Sequence, residues 1–159
     1  MNIGLSALNA RMVICIFALF LPYILVISTG ERLDSFSAYF YTGIGPLFVS
    51  ILSLVCYLMF NMPKWIPAAI LLFGVIMFPC DDFPTIHNIC AVLFFIASAA
   101  AIVFEKRESW MGYAMILFAP IALYDLFVCE VILVSIVSTY NLRKLLTLKR
   151  ILSNKRKTE

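Results

Sequence analysis

The chain carries no charged residue between Met12 and Ile27, and apolar runs of about 15 to 22 residues recur as far as Tyr140. Such runs suit membrane helices, since about 20 apolar residues cross a hydrocarbon core about 30 Å thick. They do not suit the roughly 10-residue alternating strands of a barrel. The 159 residues are 64% hydrophobic, with a mean hydropathy of +1.02. Soluble domains are about half apolar, and a chain this short has no interior large enough to hide the excess from water. The sequence therefore predicts an all-α integral membrane bundle forming one domain. Met12–Ile27 is long for a signal peptide and no small-x-small cleavage site follows it, so it reads as the first membrane helix.

Punctuation by Pro, Gly and charge divides the rest. Helix 1 is expected over about Arg11 to Ser28. Thr29 to Thr42 mixes polar and aromatic residues, as segments at headgroup level do. Helix 2 is expected from Gly43 to Asn61, with Pro46 in its first turn, where a missing N–H costs nothing. Met62-Pro63-Lys64 is a turn, and helix 3 runs from Ile66 to Phe78. A polar loop, Pro79 to Pro84, leads into helix 4, Thr85 to Phe104, whose Ala97-Ser98-Ala99-Ala100-Ala101 surface lets a neighbouring helix come close. Glu105 to Glu108 is a charged turn.

The run from Trp110 to Tyr140 would make one straight helix of about 46 Å, too long for a single span. A reversal at Tyr124-Asp125 divides it into helix 5, Ser109 to Leu123, and helix 6, Leu126 to Leu146. Charge favours this division. With six transmembrane helices, Arg11, Lys64, Lys106, Arg107 and the basic residues from Arg143 to Lys157 share one side, and Arg32 stands alone on the other. The positive-inside rule makes the first side cytoplasmic, with both termini there. The expected organisation is a bundle over residues 1–146 and a basic cytoplasmic tail over 147–159. That tail is expected to contact anionic lipid, at about 1 kcal/mol per basic residue near the surface. Residues from Arg143 onward are expected to be dispensable for folding, and nucleic acid is not an expected partner. A homo-oligomer or another membrane protein is a possible partner that composition leaves open.

The same topology gathers the polar residues at the opposite face. Asp81, Asp82, His87 and Asn88 surround the start of helix 4. Ser35, Ser37 and Tyr39 lie in the first loop, and Glu130 sits about 7.5 Å below Asp125 in helix 6. An acid at that depth is costly and should face the bundle or a wet cavity. His87, Glu130 and at least one of Asp81 and Asp82 are expected to converge in one outer-facing cavity, because a buried carboxylate needs a donor and His87 is the only imidazole. Neither serine has a Gly-x-Ser-x-Gly context, and sequence places no base beside either. The five cysteines include no Cys-x-x-Cys pair, and one histidine makes no zinc pattern, so neither metal nor cofactor is expected.

Ser35-Phe36-Ser37-Ala38-Tyr39-Phe40-Tyr41-Thr42, followed by Leu47-Phe48-Val49, resembles a segment of uncharacterised bacterial multispan membrane proteins. Phe78-Pro79 with the downstream His87, and Glu130 in the last helix, are similar to patches of the same group. The resemblance implies a six-helix-like bundle in a bacterial inner membrane and no established activity. A distant analogy is to the CREST membrane hydrolases, whose several zinc-binding histidines this chain does not have.

The leading expectation is a multispan cell-membrane protein with a polar outer-leaflet pocket for a lipid headgroup or small polar ligand, acting as sensor, accessory or assembly subunit. The alternatives are a membrane-embedded hydrolase-like enzyme using His87 with Asp82 or Glu130, and a small transporter or proton pathway through Glu130. The absence of a credible nucleophile or metal set weighs against the enzyme.

Overall fold

The computed structural model describes residues 5–105 and 107–158, with side chains from residue 6 to residue 154. Among the described residues there are six α-helices and no strand: α1 Leu5–Thr29, α2 Gly45–Phe60, α3 Ile66–Met77, α4 Pro84–Val103, α5 Ser109–Phe118 and α6 Leu126–Thr158. Ser6–Thr29, Pro84–Val103 and Leu126–Asn154 are long and apolar enough to cross a membrane. The chain thus has the make-up of a helical membrane protein.

Each helix packs against its neighbours in sequence, and α6 packs against α1, which closes the six into a ring. Contacts between connections show that successive helices reverse direction. Arg32, after α1, pairs with Asp125, before α6, and Tyr41, before α2, bonds the loop before α4. Lys64, between α2 and α3, pairs with Glu105, between α4 and α5. The ring thus has an Asp125 end and a Lys64 end. Lys106 and the side chains from Lys155 onward, which enter the charge count above, lie outside the described residues.

Two helix ends differ from expectation. The α-helix of α5 stops at Phe118, and Ala119–Leu123 continues as a 3₁₀ turn. Pro120 is the cause: it has no N–H for an α-helical bond, and its ring crowds the carbonyl four residues back. The opposite happens in α6, which does not end at Leu146 but continues to Thr158. Leu145 is buried beside Leu8 and Leu58, while Arg143 pairs with Glu108 and Lys144 with Glu105 at 2.7 Å. These contacts weigh against the expectation that residues from Arg143 are dispensable for folding. The first turn past Leu142 belongs to the core.

Small residues on α4 do admit a neighbour. A Cβ at Gly112 of α5 would stand 2.8 Å from both the Ala99 carbonyl oxygen and the Val103 nitrogen of α4. Glycine permits that approach without displacing α4. At the Asp125 end the first loop is pinned by aromatic residues rather than by regular structure. Phe36 packs on Phe48 and Phe127, and Tyr39 on Phe127, with ring centroids about 6 Å apart. The Tyr39 hydroxyl donates to the Glu31 carbonyl at 2.9 Å and accepts from the Leu33 N–H at 3.3 Å, closing the loop on itself.

Candidate functional site

Ser37 lies between those two buried rings and opens a 3₁₀ turn, Ser37–Tyr41. With Phe36 and Tyr39 both held inward, the Ser37 side chain is fixed against α4, where His87 is 4% exposed. The Ser37 Oγ is 2.7 Å from His87 Nε2, and His87 Nδ1 is 2.7 Å from the Phe78 carbonyl oxygen. That carbonyl is free because Phe78 follows the last residue of α3, with non-helical dihedrals, and Pro79 prevents the helix from resuming. A carbonyl only accepts, so Nδ1 carries the proton. In the neutral ring Nε2 is then an acceptor, and the Ser37 hydroxyl donates to it. Sequence reasoning placed no base beside a serine, and here one stands beside Ser37.

Glu130 comes from the other side. It lies one turn into α6, is 8% exposed, and its Oε2 accepts the Phe36 N–H at 2.6 Å. That bond gives the buried carboxylate a donor and fixes the backbone that carries Ser37. The start of α6 is set by Asp125, whose Oδ1 accepts the Val128 N–H at 3.0 Å, a helix cap. The Arg32 guanidinium beside Asp125 holds that carboxyl below its ordinary range.

Ser35, Ser37, His87, Asn88 and Glu130 line one cavity of about 510 Å³ among α4, α5, α6 and the first loop. These polar groups, with Cys80, occupy its Asp125 end. Ala91, Val92, Phe95 and Ile96 of α4, Met115 and Ile116 of α5, and Leu133 of α6 form an apolar wall running towards the Lys64 end. Val92, Ile96 and Ile116 are each more than half exposed, so the cavity opens sideways through the flank of the ring. Ser37 and Glu130 also border a smaller void of about 70 Å³ on the inner side, reached by Ser138 of α6.

Not every expected residue is there. Asp81 and Asp82 are exposed and stand outside the cavity: the Asp81 N–H donates to the Tyr41 hydroxyl at 3.0 Å, which donates to an Asp82 carboxylate oxygen at 3.4 Å. Tyr39 is fully buried in the aromatic cluster and turns its hydroxyl to the loop backbone. His87 and Glu130 do line one cavity, but the acid near His87 in sequence is not part of it. The missed members are the Phe78 carbonyl, which Phe78-Pro79 after an apolar run could have signalled, and the apolar wall, which gives no local signal. Among the described residues no group of three or more His, Cys, Asp or Glu could hold a metal ion, and all five cysteines are free.

At the Lys64 end, Glu105 accepts from Lys144, Lys64 and Tyr140, and these bonds hold its carboxyl down at about 2. The cluster ties the α2–α3 turn to the α4–α5 turn and to α6.

No curated protein and no solved structure matches the chain. A family model does, over residues 64–144, which run from the α2–α3 turn into α6 and include His87, Asn88 and Glu130 but not Ser37. That match covers more than half of the 159 residues, and the chain belongs to this family of unknown function, DUF7103.

Proposed function

We propose that this is a polytopic cell-membrane protein, with six spans and cytoplasmic termini, that holds a single amphiphile in its lateral cavity as a sensor, accessory or assembly subunit. One observation carries the reading: the 510 Å³ cavity is polar at one pole, apolar along its length, and open through the flank of the ring. Ligand sites commonly measure about 300–1,000 Å³ and are mostly apolar with a few convergent polar groups. A lipid headgroup would meet Ser35, Ser37, His87, Asn88 and Glu130, while its chain would lie along Val92, Ile96 and Ile116. The buried Glu130 favours a ligand with a hydroxyl or amine to share it.

The topology rests on the alternating helices and on the charges. Lys64, Arg107, Arg143, Lys144, Lys149 and Arg150 belong to the Lys64 end and the basic stretch beyond it, against Arg32 at the other. The basic end of α6 is where anionic lipid of the cytoplasmic leaflet would gather.

Native mass spectrometry of the detergent-purified protein tests the ligand. The wild type should carry one bound species of lipid mass, and Glu130→Gln and His87→Ala should each lose it while keeping the wild-type helical spectrum. Retention of the species by both variants would refute this cavity as its site. Cysteine labelling at Asn61, Ser109 and Tyr124 tests the topology, and labelling of position 124 from the cytoplasm alone would refute six spans.

A further inference from the structure

We infer that Ser37 and His87 form an acyl-transfer pair whose substrate class is a carboxylic ester of a lipid, resting on the proposal that the cavity admits an amphiphile. Three features of the geometry carry this. The hydroxyl is within 2.7 Å of an imidazole nitrogen that is an acceptor in the neutral ring. The other ring nitrogen is bonded at 2.7 Å, so both orientation and tautomer are fixed. Both side chains line the polar pole of a cavity whose long apolar wall suits an acyl chain.

These are the nucleophile, base and orienting group of serine acyl transfer, with the Phe78 carbonyl in the place a carboxylate usually takes. A carbonyl holds the correct tautomer but carries no full charge, so it stabilises the imidazolium less than a carboxylate would. Slow turnover follows. Neither serine sits in a nucleophile elbow, and the aromatic cluster around Phe36 and Tyr39 takes over the task of presenting the hydroxyl.

The steps balance without any metal. Ser37 Oγ bonds to the ester carbonyl carbon as its proton passes to His87 Nε2. The carbon–oxygen bond to the alcohol breaks, and the leaving oxygen takes that proton. Water, or a hydroxyl of a second lipid, then attacks the acyl-Ser37 carbonyl, gives its proton to His87, and Ser37 leaves with it. The void of about 70 Å³ behind Ser37 is mostly apolar, with Ser37, Glu130 and Ser138 as its polar lining, and it exceeds the roughly 10–15 Å³ a water molecule needs. Glu130 is a positioning residue, since it bonds the Phe36 N–H next to the nucleophile.

A long-chain alkyl fluorophosphonate is the probe, applied to the purified full-length protein, with the adduct located by peptide mass spectrometry. Ser37 should be modified, and the exposed Ser50, whose hydroxyl bonds the Pro46 carbonyl at 2.7 Å, should not. Ser37→Ala should abolish the adduct, and His87→Gln should slow it about 100-fold or more, as loss of a general base does. The wild-type result decides the matter even if a variant does not fold: an unmodified Ser37 overturns the inference, as does equal labelling of wild type and His87→Gln. Native mass spectra of the same samples separate the two proposals. A retained lipid with unmodified Ser37 leaves the cavity reading standing and removes the chemistry. Loss of both removes both.

Discussion

Gly112 offers a test of the α4–α5 contact in which the sign alone is informative. Its Cβ position lies 2.8 Å from two backbone atoms of α4, the Ala99 oxygen and the Val103 nitrogen, and 2.5 Å from a Val103 methyl. The methyl can rotate away, but the backbone atoms cannot. Reaching the 3.4 Å of ordinary contact requires the helices to part by about 0.6 Å. Overpacking of this kind costs about 1–3 kcal/mol. Against it stands the helical preference for Ala over Gly, about 1 kcal/mol. Gly112→Ala should therefore fall between neutral and about 2 kcal/mol destabilised. Gly112→Val adds two more methyls and forfeits most of the propensity gain, so it should lose about 2 kcal/mol or more. Equilibrium unfolding in mixed detergent–SDS micelles measures both. If Ala stabilises by about 1 kcal/mol and Val is tolerated, propensity alone is acting and α5 does not meet α4 at Gly112. Met115 and Ile116, the next turn of α5, would then lose their place in the cavity wall.

Further predictions concern the two ends of the ring. Glu105 has its carboxyl held at about 2 by Lys144, Lys64 and Tyr140, so its contribution to stability is complete above the ordinary carboxylate range and lost as pH falls towards 2. Thermal melts between pH 5 and 2 should show a loss in the wild type that is smaller in Glu105→Gln. Asp125→Ala should lower the melting temperature more than Arg32→Ala, because Asp125 serves both the ion pair and the α6 cap; equal shifts would show that the cap contributes nothing. Truncation after Leu142 should lower the melting temperature in detergent, since it removes Leu145 and Lys144, while truncation after Leu152 should not. Equal stability of the two truncated forms would show that the buried turn past Leu142 is not structural.

The helices were largely legible in the sequence because proline, glycine and charge mark their ends. The expected helix 3, Ile66 to Phe78, differs from α3 by one residue, and the reversal at Tyr124-Asp125 is where the chain turns. Pro120 was visible, but the apolar run around it concealed that the α-helix ends there. The α6 extension was missed because leucines mixed with lysines gave no clean stripe, whereas Leu145 is buried by partners on α1 and α2 that a local pattern does not show. At the site, depth was legible and direction was not. His87 and Glu130 could be placed near one end of their helices by counting residues, and both line the cavity. Which loop residue would meet His87 depended on Phe36 and Tyr39 burying together, a long-range event with Phe127, and so Ser37 rather than Asp81 or Asp82 stands beside the imidazole.

The central claim, that an amphiphile occupies the lateral cavity with its head at His87 and its chain along α4 and α5, is tested most directly by photo-crosslinking. Two lipids, one with a diazirine near the headgroup and one with a diazirine in the chain, are irradiated with the protein in bilayers and the adducts mapped by peptide mass spectrometry. The account predicts headgroup adducts in the peptides holding Ser35–Ser37 and His87-Asn88, and chain adducts at Val92, Ile96 and Ile116. Adducts spread evenly over the outer faces of α1 and α2, at residues such as Phe20 and Tyr57, with none in the α4–α5 wall, would contradict it.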